Sequence, residues 1–405
     1  MRLYSRVLLP RSRYGKYLFK EQVAELVKPH PDTLDLLGAW LAHHGIPSSS
    51  ISMTHGGAWV TVTDVLVSQA NRLLNASYQL YRNTNTNDTV IRTVDYSLPT
   101  LLHTHIQAVA PTTHFTSMGV MRQSPRRRSS GTAPAASERL ATTRWSFMVT
   151  PEYLQSLYKT SEYVPVSITR NKVGVVGFRN DYPSPWDLHT FMTFFRSDGK
   201  NADYTTQPVN GGLYNPEDPN EDLNVGIQYT QGMAFPTPVT FYSVGNWQGD
   251  SLGMFLHYLV STPNIPPTIS ISYDLGNERN LAPGYMTAVC SLFEHLAVRG
   301  ITVLVGSGTH GVGAGSCQDA SGNVQFIAEF PSTCMCRVFI NPPKRKYKSL
   351  TRLPWFCRSL CHQRRRNYKE PRNCSEHLRW RLLVLLCSPA LPGLCGAPIL
   401  YAARR

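Results

Sequence analysis

The chain has 405 residues and a formal net charge of +14, with 42% hydrophobic and 10% aromatic residues. This composition excludes a chain that is disordered throughout and is sufficient for two or three packed domains. Residues 337–405 contain 16 Lys and Arg against two acidic residues, so they carry the whole positive excess. The neutral remainder excludes a generally basic nucleic-acid-binding domain, although a basic binding tail remains an alternative.

The first 115 residues predict a compact α+β domain. Apolar residues recur at spacings of three and four between residues 19 and 46, which indicates two helices separated by Pro29 and Pro31. Asp32 or Thr33 is the expected N-cap of the second helix. A strand, a helix and a second strand are expected to follow at residues 59–63, 65–74 and 89–96.

Residues 116–148 predict a linker. Arg126 to Arg128 are followed by small and polar residues without apolar periodicity. A solvated linker is the expected role, and a protease-sensitive junction is the alternative.

Residues 149–336 predict an α/β domain, because short apolar runs alternate with helical segments. The expected strands are residues 172–178, 239–244, 268–272 and 301–305. The expected helices lie near residues 188–196, 222–231, 251–260 and 285–299. The alternation of strands and helices stops after residue 336, so we expect residues 337–405 to be an unrelated, disordered tail. A frameshift or retained intron is the expected origin of this tail, and a genuine basic binding tail is the alternative.

Several motifs resemble the sedolisins, a family of serine-carboxyl peptidases, and in particular their fungal tripeptidyl-peptidase branch. The motifs are Tyr14-Gly-Lys-Tyr-Leu18, Tyr96-Ser-Leu-Pro99, Asn171-Lys-Val-Gly-Val-Val-Gly-Phe178, Ile227-Gln-Tyr-Thr-Gln-Gly232 and the Gly-rich loop that starts at Ser307-Gly308. The resemblance implies an α+β activation pro-domain at 1–115, followed at 149–336 by an incomplete, subtilisin-like α/β domain with a parallel sheet. It also implies a secreted serine peptidase that works at acid pH on polypeptides.

The resemblance also assigns the catalytic positions. It implies a serine nucleophile, a glutamate base, an aspartate four residues later that orients the base, and an aspartate that stabilises the oxyanion. It places Asp222 at the glutamate, Gly226 at the orienting aspartate and Thr309 at the oxyanion aspartate. Asp222 is one methylene short, Gly226 has no side chain, Thr309 cannot titrate, and the family's Ser-Gly-Thr-Ser nucleophile segment is absent from the matched region. We therefore predict a catalytically inactive homologue.

Two other functions stay open. The chain is also a candidate inhibitor or chaperone of a full-length relative through its pro-domain, or a nucleic-acid binder through its tail. Nucleic acid and membranes are not the expected partners. No cofactor is expected, because the calcium site of the family lies beyond the matched region.

Cysteines occur only from Cys290 onward. Cys317 and Cys334 bracket a short loop and are the candidate disulfide in an oxidising compartment. Cys290 is interpreted as a buried apolar residue or a disulfide partner. The Cys-x-x-x-Cys-His group at 357–362 lacks a complete ligand set, so no metal site is expected.

Asn75 and Asn87 begin candidate glycosylation sequons, which fits an extracellular protein, although the amino terminus lacks the apolar core of a signal peptide. Three pro-domain histidines are interpreted as solvated or pH-sensitive surface residues rather than metal ligands. They are His103, His105 and His114.

Overall fold

The structure is a computed structural model. It describes residues 17–54, 56–82, 89–115, 119–120, 149–165, 167, 170–245, 250–306, 329–334 and 383–385. The chain divides into two compact units. Unit 1 comprises Met1–Gly119 and Asn246–Arg405, and unit 2 comprises Val120–Gly245.

In the amino-terminal part of unit 1, the residues that the structure describes form three α-helices and two antiparallel strand pairs. Its elements are α1 (Lys20–Val27), α2 (Pro31–His43), β1 (Ile51–Met53), β2 (Val60–Val62), α3 (Val67–Leu74), β3 (Gln79–Arg82) and β4 (Thr89–Arg92). β1 pairs with β2, and β3 pairs with β4. A two-residue strand, β5 (Gly119–Val120), follows. These elements match the predicted α+β pattern.

The cap of α2 differs from the prediction. His30 is the N-cap, and its Nδ1 accepts a hydrogen bond from the main-chain N of Asp32 at 3.3 Å. Pro31 begins the helix, where its missing N–H has no intrahelical partner to lose. Asp32 and Thr33 therefore lie inside the first turn, and the predicted cap was wrong.

The described residues of unit 2 form three α-helices and three parallel strands. Its elements are α4 (Pro151–Leu157), β6 (Val173–Phe178), α5 (Pro185–Phe195), β7 (Tyr204–Val209), α6 (Glu221–Ala234) and β8 (Val239–Val244). β8 pairs in parallel with β6 and with β7, and Val239 lies opposite both Val173 and Tyr204. The helices α5 and α6 cover a core that includes Val175, Leu188, Met192, Leu223, Ile227 and Phe241.

The remainder of unit 1 continues the alternation of helices and strands. Its elements are α7 (Ser251–Ser261), β9 (Thr268–Ile271), β10 (Tyr273–Asp274), α8 (Pro283–Val298), β11 (Thr302–Gly306) and β12 (Leu383–Leu385). β9 and β11 pair in parallel, with Thr302 opposite Thr268. β12 pairs antiparallel with β11 and is the part of the predicted tail that the structure describes.

Strands β6, β7 and β8 of unit 2 form a parallel sheet, and β9 and β11 of unit 1 are also parallel, which fits the predicted α/β domain. The four predicted strands of this region are confirmed, whereas β7 was missed. β7 lies at the edge of the sheet and contains Pro208. Proline cannot donate to a strand ladder and is tolerated at an edge, so the sequence signal of this strand is weak.

Cys334 forms a disulfide with Cys290 of α8, and their Cα atoms are 5.1 Å apart. The predicted pairing of Cys317 with Cys334 was therefore wrong, because the fold brings a residue 44 positions away in sequence next to Cys334. Cys317 itself lies outside the described residues.

Peptide mapping without reduction should recover Cys290 linked to Cys334. We expect Cys290→Ser to lower the free energy of unfolding by about 2–5 kcal/mol, because a buried cross-link is lost. Cys317→Ser is the control, and the Cys290–Cys334 link should persist in it. A Cys317–Cys334 linkage in the wild-type map would contradict the structure.

Candidate functional site

The first turn of α6 holds Asp222, the position aligned with the catalytic glutamate. Asn220 caps this helix, and its Oδ1 accepts hydrogen bonds from the main-chain N atoms of Asp222 at 3.0 Å and Leu223 at 3.2 Å. The Nδ2 of Asn220 donates to Oδ1 of Asp181 at 3.1 Å, just after the end of β6. Asp222 is half-buried at a helix N-terminus, where the helix dipole favours a carboxylate.

Gly226 lies one turn after Asp222, on the same face of α6. A Cβ built on Gly226 would have Cγ1 of Val175, at 3.9 Å, as its nearest neighbour among the described residues outside the helix. Gly232, in the same helix, is different. A Cβ there would lie 2.8 Å from Cγ of Pro151 and 3.2 Å from Cε1 of Phe191. Packing therefore requires glycine at 232 but not at 226.

A buried asparagine fixes α6 against α5. Oδ1 of Asn224 accepts a hydrogen bond from the main-chain N of Ser184 at 2.7 Å, and its Nδ2 donates to Oδ2 of Asp187 at 2.7 Å. Asn224 lies between Asp222 and Gly226 in sequence, but its side chain hydrogen-bonds to residues of the α5 start rather than facing the candidate site. Sequence reasoning missed this residue, because a single asparagine in a helix carries no pattern.

The remaining predicted site residues lie on other elements or outside the described residues. Thr309 and Asn87 lie outside the described residues. Asn75 is the C-cap of α3 in a left-handed conformation with φ of 44°. It is exposed, and its Nδ2 donates to Oγ of Ser97 at 3.3 Å.

A second site lies within unit 1, where residues 17–20 contact the C-terminal ends of α7 and α8. The main-chain N of Leu18 donates to the carbonyl oxygen of Val298 at 2.9 Å. Nζ of Lys20 donates to the carbonyl oxygen of Ser261 at 3.1 Å. The Tyr17 ring lies so close to Gly300, where φ is 82°, that a Cβ there would be 2.7 Å from its Cγ.

Arg299 completes this end of α7 by hydrogen-bonding to main-chain carbonyl groups. Its two terminal nitrogens donate at 2.7–3.2 Å to the carbonyl oxygens of Leu259, Val260, Thr262 and Pro263. The helix end that receives residues 17–20 is therefore rigidly held.

Two neutral histidines lie under the aromatic residue Trp59. The Trp59 and His257 rings meet edge to face with centroids 4.4 Å apart. His295 is buried on α8, and Nδ1 of His257 on α7 has no hydrogen-bond partner among the described residues. Burial lowers the pKa of His257 to about 4, with His295 adding to the effect, and burial lowers the pKa of His295 to about 4. Neither is charged at pH 7.

A buried polar cluster joins β4 to the N-terminus of α7. Asp250 caps α7, and its Oδ1 accepts hydrogen bonds from the main-chain N of Gly253 at 2.9 Å and from the Tyr285 hydroxyl at 2.8 Å. The Tyr285 ring stacks on His114 with centroids 4.6 Å apart. The carbonyl oxygen of His114 accepts from Nε of Arg92 at 2.6 Å. Burial raises the pKa of Asp250, and the hydrogen bonds from Gly253 and Tyr285, followed by the Arg92 charge, oppose this rise.

His114 is 3% exposed, so its prediction as a surface residue was wrong. Burial, followed by the Arg92 charge, lowers its pKa to about 3. His103 makes a hydrogen bond with the nearby carbonyl oxygen of Leu98, and His105 makes one with the hydroxyl of Thr33, which is distant in sequence.

Apart from His114, sequence reasoning missed the residues of the histidine pair and of the polar cluster at the start of α7. The available signal was the alternation in β4, which places Arg92 on the same face as the buried Val90. Asp250, directly before an apolar helical run, was a second signal, because aspartate is a preferred N-cap.

Glu329 responds to pH in the opposite sense to the histidines. Burial, followed by the charge of Asp274, raises its pKa to about 7. Its Oε2 is buried without a hydrogen-bond partner among the described residues. Ionisation of Glu329 is therefore unfavourable in the native state.

Residues 2–115 match the family profile described as Pro-kumamolisin, activation domain. A probable tripeptidyl-peptidase SED3 of Trichophyton verrucosum is 27% identical over 344 residues, which cover 79% of this chain and 56% of the relative. A tripeptidyl-peptidase SED3 of Arthroderma otae is 28% identical over 346 residues, covering 80% and 56%. A solved structure of Pseudomonas sedolisin (serine-carboxyl proteinase) complexed with pseudo-iodotyrostatin aligns with a TM-score of 0.32 and 18% identity over 46% of this chain and 51% of that one.

These similarities support the predicted resemblance to sedolisins that carry an activation pro-domain. The chain spans a little over half the length of the curated relatives it matches. No helix in the described ranges is both long and apolar enough to cross a membrane.

Gly226→Ala should raise the free energy of unfolding by about 1 kcal/mol, because alanine is the better helix former and the site has room for a methyl group. Gly232→Ala in the same helix should lower it by about 1–3 kcal/mol through overpacking against Pro151 and Phe191. Urea unfolding of both variants measures the difference. Destabilisation by Gly226→Ala would contradict the geometry of this position.

The histidine pair predicts a loss of stability in acid. His257 and His295 bind protons more weakly in the folded chain than in the unfolded chain, where histidine titrates near pH 6.5. Their contribution is therefore present above about pH 6.5 and is lost as the pH falls towards 4, at about 2–3 kcal/mol per histidine.

The double variant His257→Gln/His295→Gln should accordingly lose less stability than the wild type between pH 7 and pH 4.5, as measured by urea unfolding. The exposed His189 on α5 supplies the control variant, His189→Gln, which should follow the wild type. Equal losses in the wild type and the double variant would show that the pair does not govern the acid response.

Proposed function

We propose that this chain is a sedolisin homologue that does not hydrolyse peptides. The observation that carries the proposal is Gly226, which stands at the position aligned with the orienting aspartate. A Cβ at Gly226 would make only an ordinary contact with Val175, so packing around the Cβ does not by itself account for glycine at this position. A glutamate or aspartate base without its orienting partner loses the geometry that general-base catalysis requires.

Asp222 gives further support. Its side chain is about one methylene shorter than the aligned glutamate, which withdraws the carboxylate by roughly 1 Å. The cap made by Asn220 holds the main chain of this turn, so the helix start has little freedom to move towards a substrate. Thr309, at the oxyanion position, would supply a neutral hydroxyl donor in place of a carboxyl group.

The remaining functional setting follows from the family. Polypeptides are the proposed ligand class, because the relatives are named tripeptidyl-peptidases. An extracellular location is proposed, and the Cys290–Cys334 disulfide supports it because such bonds persist in oxidising compartments.

Hydrolysis of quenched peptide substrates between pH 3 and pH 7 tests the proposal. The wild type, Asp222→Asn and Asp218→Asn should show the same background rate. Asp218 is a matched control, because it is an exposed acid shortly before α6 and the change in charge is identical. Hydrolysis that persists in Asp218→Asn but disappears in Asp222→Asn would overturn the proposal, since a contaminating protease would be insensitive to both changes.

A second candidate function is inhibition or chaperoning of a full-length relative by the pro-domain. It is favoured by the contacts of residues 17–20, which bind main-chain carbonyl groups and the Cα of a glycine. The hydrogen-bond acceptors at these helix ends are main-chain groups, so binding of residues 17–20 does not depend on which side chains the helix ends carry. The same amino-terminal segment could therefore occupy the corresponding helix ends of a relative.

Gly300→Ala provides a sharp test of this second function. The added Cβ would lie 2.7 Å from Cγ of Tyr17, so residues 17–20 should be displaced from their own helix ends and become available to another molecule. Gly276→Ala is the matched control, because Gly276 also has a positive φ, 75°, but no described neighbour within 4 Å of a Cβ.

The full chain and both variants are added to an active tripeptidyl-peptidase of the family, and its rate is followed. Gly300→Ala should inhibit more strongly than the wild type and Gly276→Ala. No inhibition by any of the three would contradict this function without affecting the first proposal.

A further inference from the structure

Strand β11 has a neighbouring strand on each side. On one side it pairs in parallel with β9, and on the other it pairs antiparallel with β12, the strand formed by residues 383–385 of the tail. The residues of β11 and β12 that lie opposite each other are Leu304 and Leu385, Val305 and Val384, and Gly306 and Leu383. Two segments of unit 1 that are distant in sequence therefore meet in one sheet.

The amino-acid sequence of β11 does not protect the edge that β12 covers. Residues 302–306 include no charged residue and no proline, and Val303 and Val305 are buried. A row of unpaired N–H and C=O groups along such a strand is a template for pairing with another chain. The edge strand β7 of unit 2 differs, because Pro208 removes one of its ladder donors. The edge of β11 is therefore protected only when another strand covers it.

The tail contains one segment that suits this edge. Residues 382–386 are five consecutive aliphatic residues, the longest such run between residues 337 and 405, and Pro389 follows them. A run of this length matches a typical strand. An antiparallel strand at the edge of an otherwise parallel sheet is a common arrangement. The composition of the segment and its pairing with β11 thus agree.

We propose that the edge of β11 is an acceptor site for an extended apolar strand, and that this chain fills the site with its own residues 383–385. The site binds by main-chain pairing, as in other cases in which a strand is added to a sheet edge. Residues 383–385 thereby exclude the strand of a second copy. This inference is independent of whether Asp222 supports catalysis.

The covalent connection favours the chain's own strand over that of a second copy. Three residue pairs are a weak contact by themselves, since even an isolated hairpin is only marginally stable. A strand on the same chain, however, meets its acceptor at an effective concentration on the order of mM. A second copy is present only at its bulk concentration. Pairing within one chain is therefore favoured when the protein is at micromolar concentration.

Cross-linking of introduced cysteines tests the register. In Leu304→Cys/Leu385→Cys the two residues lie directly opposite each other, within the range that a disulfide spans. Mild oxidation of the full chain should link them about ten-fold more than the pair in Leu304→Cys/Leu383→Cys, which is shifted by two residues. Peptide mapping distinguishes this link from the Cys290–Cys334 bond, and electrophoresis without reduction shows whether it lies within one chain.

Val384→Pro/Leu385→Pro tests the consequence of losing β12. Adjacent residues of a strand direct their N–H groups to opposite sides, so this pair of prolines removes a donor on the β11 side. Hydrogen exchange in β11 should become about ten-fold faster at alternate residues, those paired with β12, while the amides paired with β9 stay protected. Analytical ultracentrifugation should show that the variant associates as its concentration rises.

Ile399→Pro/Leu400→Pro is the matched control, because it changes two apolar tail residues outside residues 382–386. It should match the wild type in hydrogen exchange and in sedimentation. Equal cross-linking of the two cysteine pairs, or unchanged exchange of β11 in Val384→Pro/Leu385→Pro, would overturn the proposal. Faster exchange without association would overturn the claim that residues 383–385 exclude a second copy.

The source of the strand is decided by the same experiments. A Leu304→Cys/Leu385→Cys link that joins two chains would contradict pairing within one chain, and so would wild-type dimers that Val384→Pro/Leu385→Pro dissociates. If the proline variant does not fold, the comparison of the two cysteine pairs decides alone, because both pairs keep every main-chain donor.

Discussion

A chain of contacts from Asp250 to Arg92 is the interaction on which unit 1 depends. Asp250 caps α7, which packs on α8, and α8 packs on β11. The carboxylate accepts a hydrogen bond from the Tyr285 hydroxyl, the Tyr285 ring stacks on His114 of the pro-domain, and the carbonyl oxygen of His114 accepts from Arg92. The pro-domain is thus part of the core of unit 1.

The titratable groups of unit 1 affect stability in opposite ways as the pH changes. His114, His257 and His295 are neutral in the folded chain and disfavour acid, and all three are in contact with or next to pro-domain residues. Asp250 and Glu329 have raised pKa values and disfavour neutral pH. Acid therefore weakens the surroundings of the pro-domain while it removes the cost of the buried carboxylates in the α/β part.

The sequence predicted the elements whose pattern is local. The buried strands β6, β8, β9 and β11 are apolar runs, and the helices between them have apolar residues at helical spacing, so both follow from periodicity. The edge strand β7 was missed because its polar residues and Pro208 remove that pattern. The partner of Cys334 and the burial of Arg92 depend on contacts between distant segments, which no local pattern encodes.

The candidate site shows the same limit. Alignment by resemblance located Asp222 and Gly226, but only the coordinates reveal that Gly226 has room for a side chain and Gly232 has none. The sequence contains each of these glycines without indicating which of them packing requires. Glycine at 226 is therefore not explained by packing against the described residues, whereas glycine at 232 is.

Native-state hydrogen exchange over increasing urea concentration tests the central claim that the pro-domain belongs to the core of unit 1. Protected amides of β4 and of α7 are expected to open in one cooperative step with the same free energy and the same urea dependence. Opening of β4 at a clearly lower free energy, with α7 still protected, would contradict it.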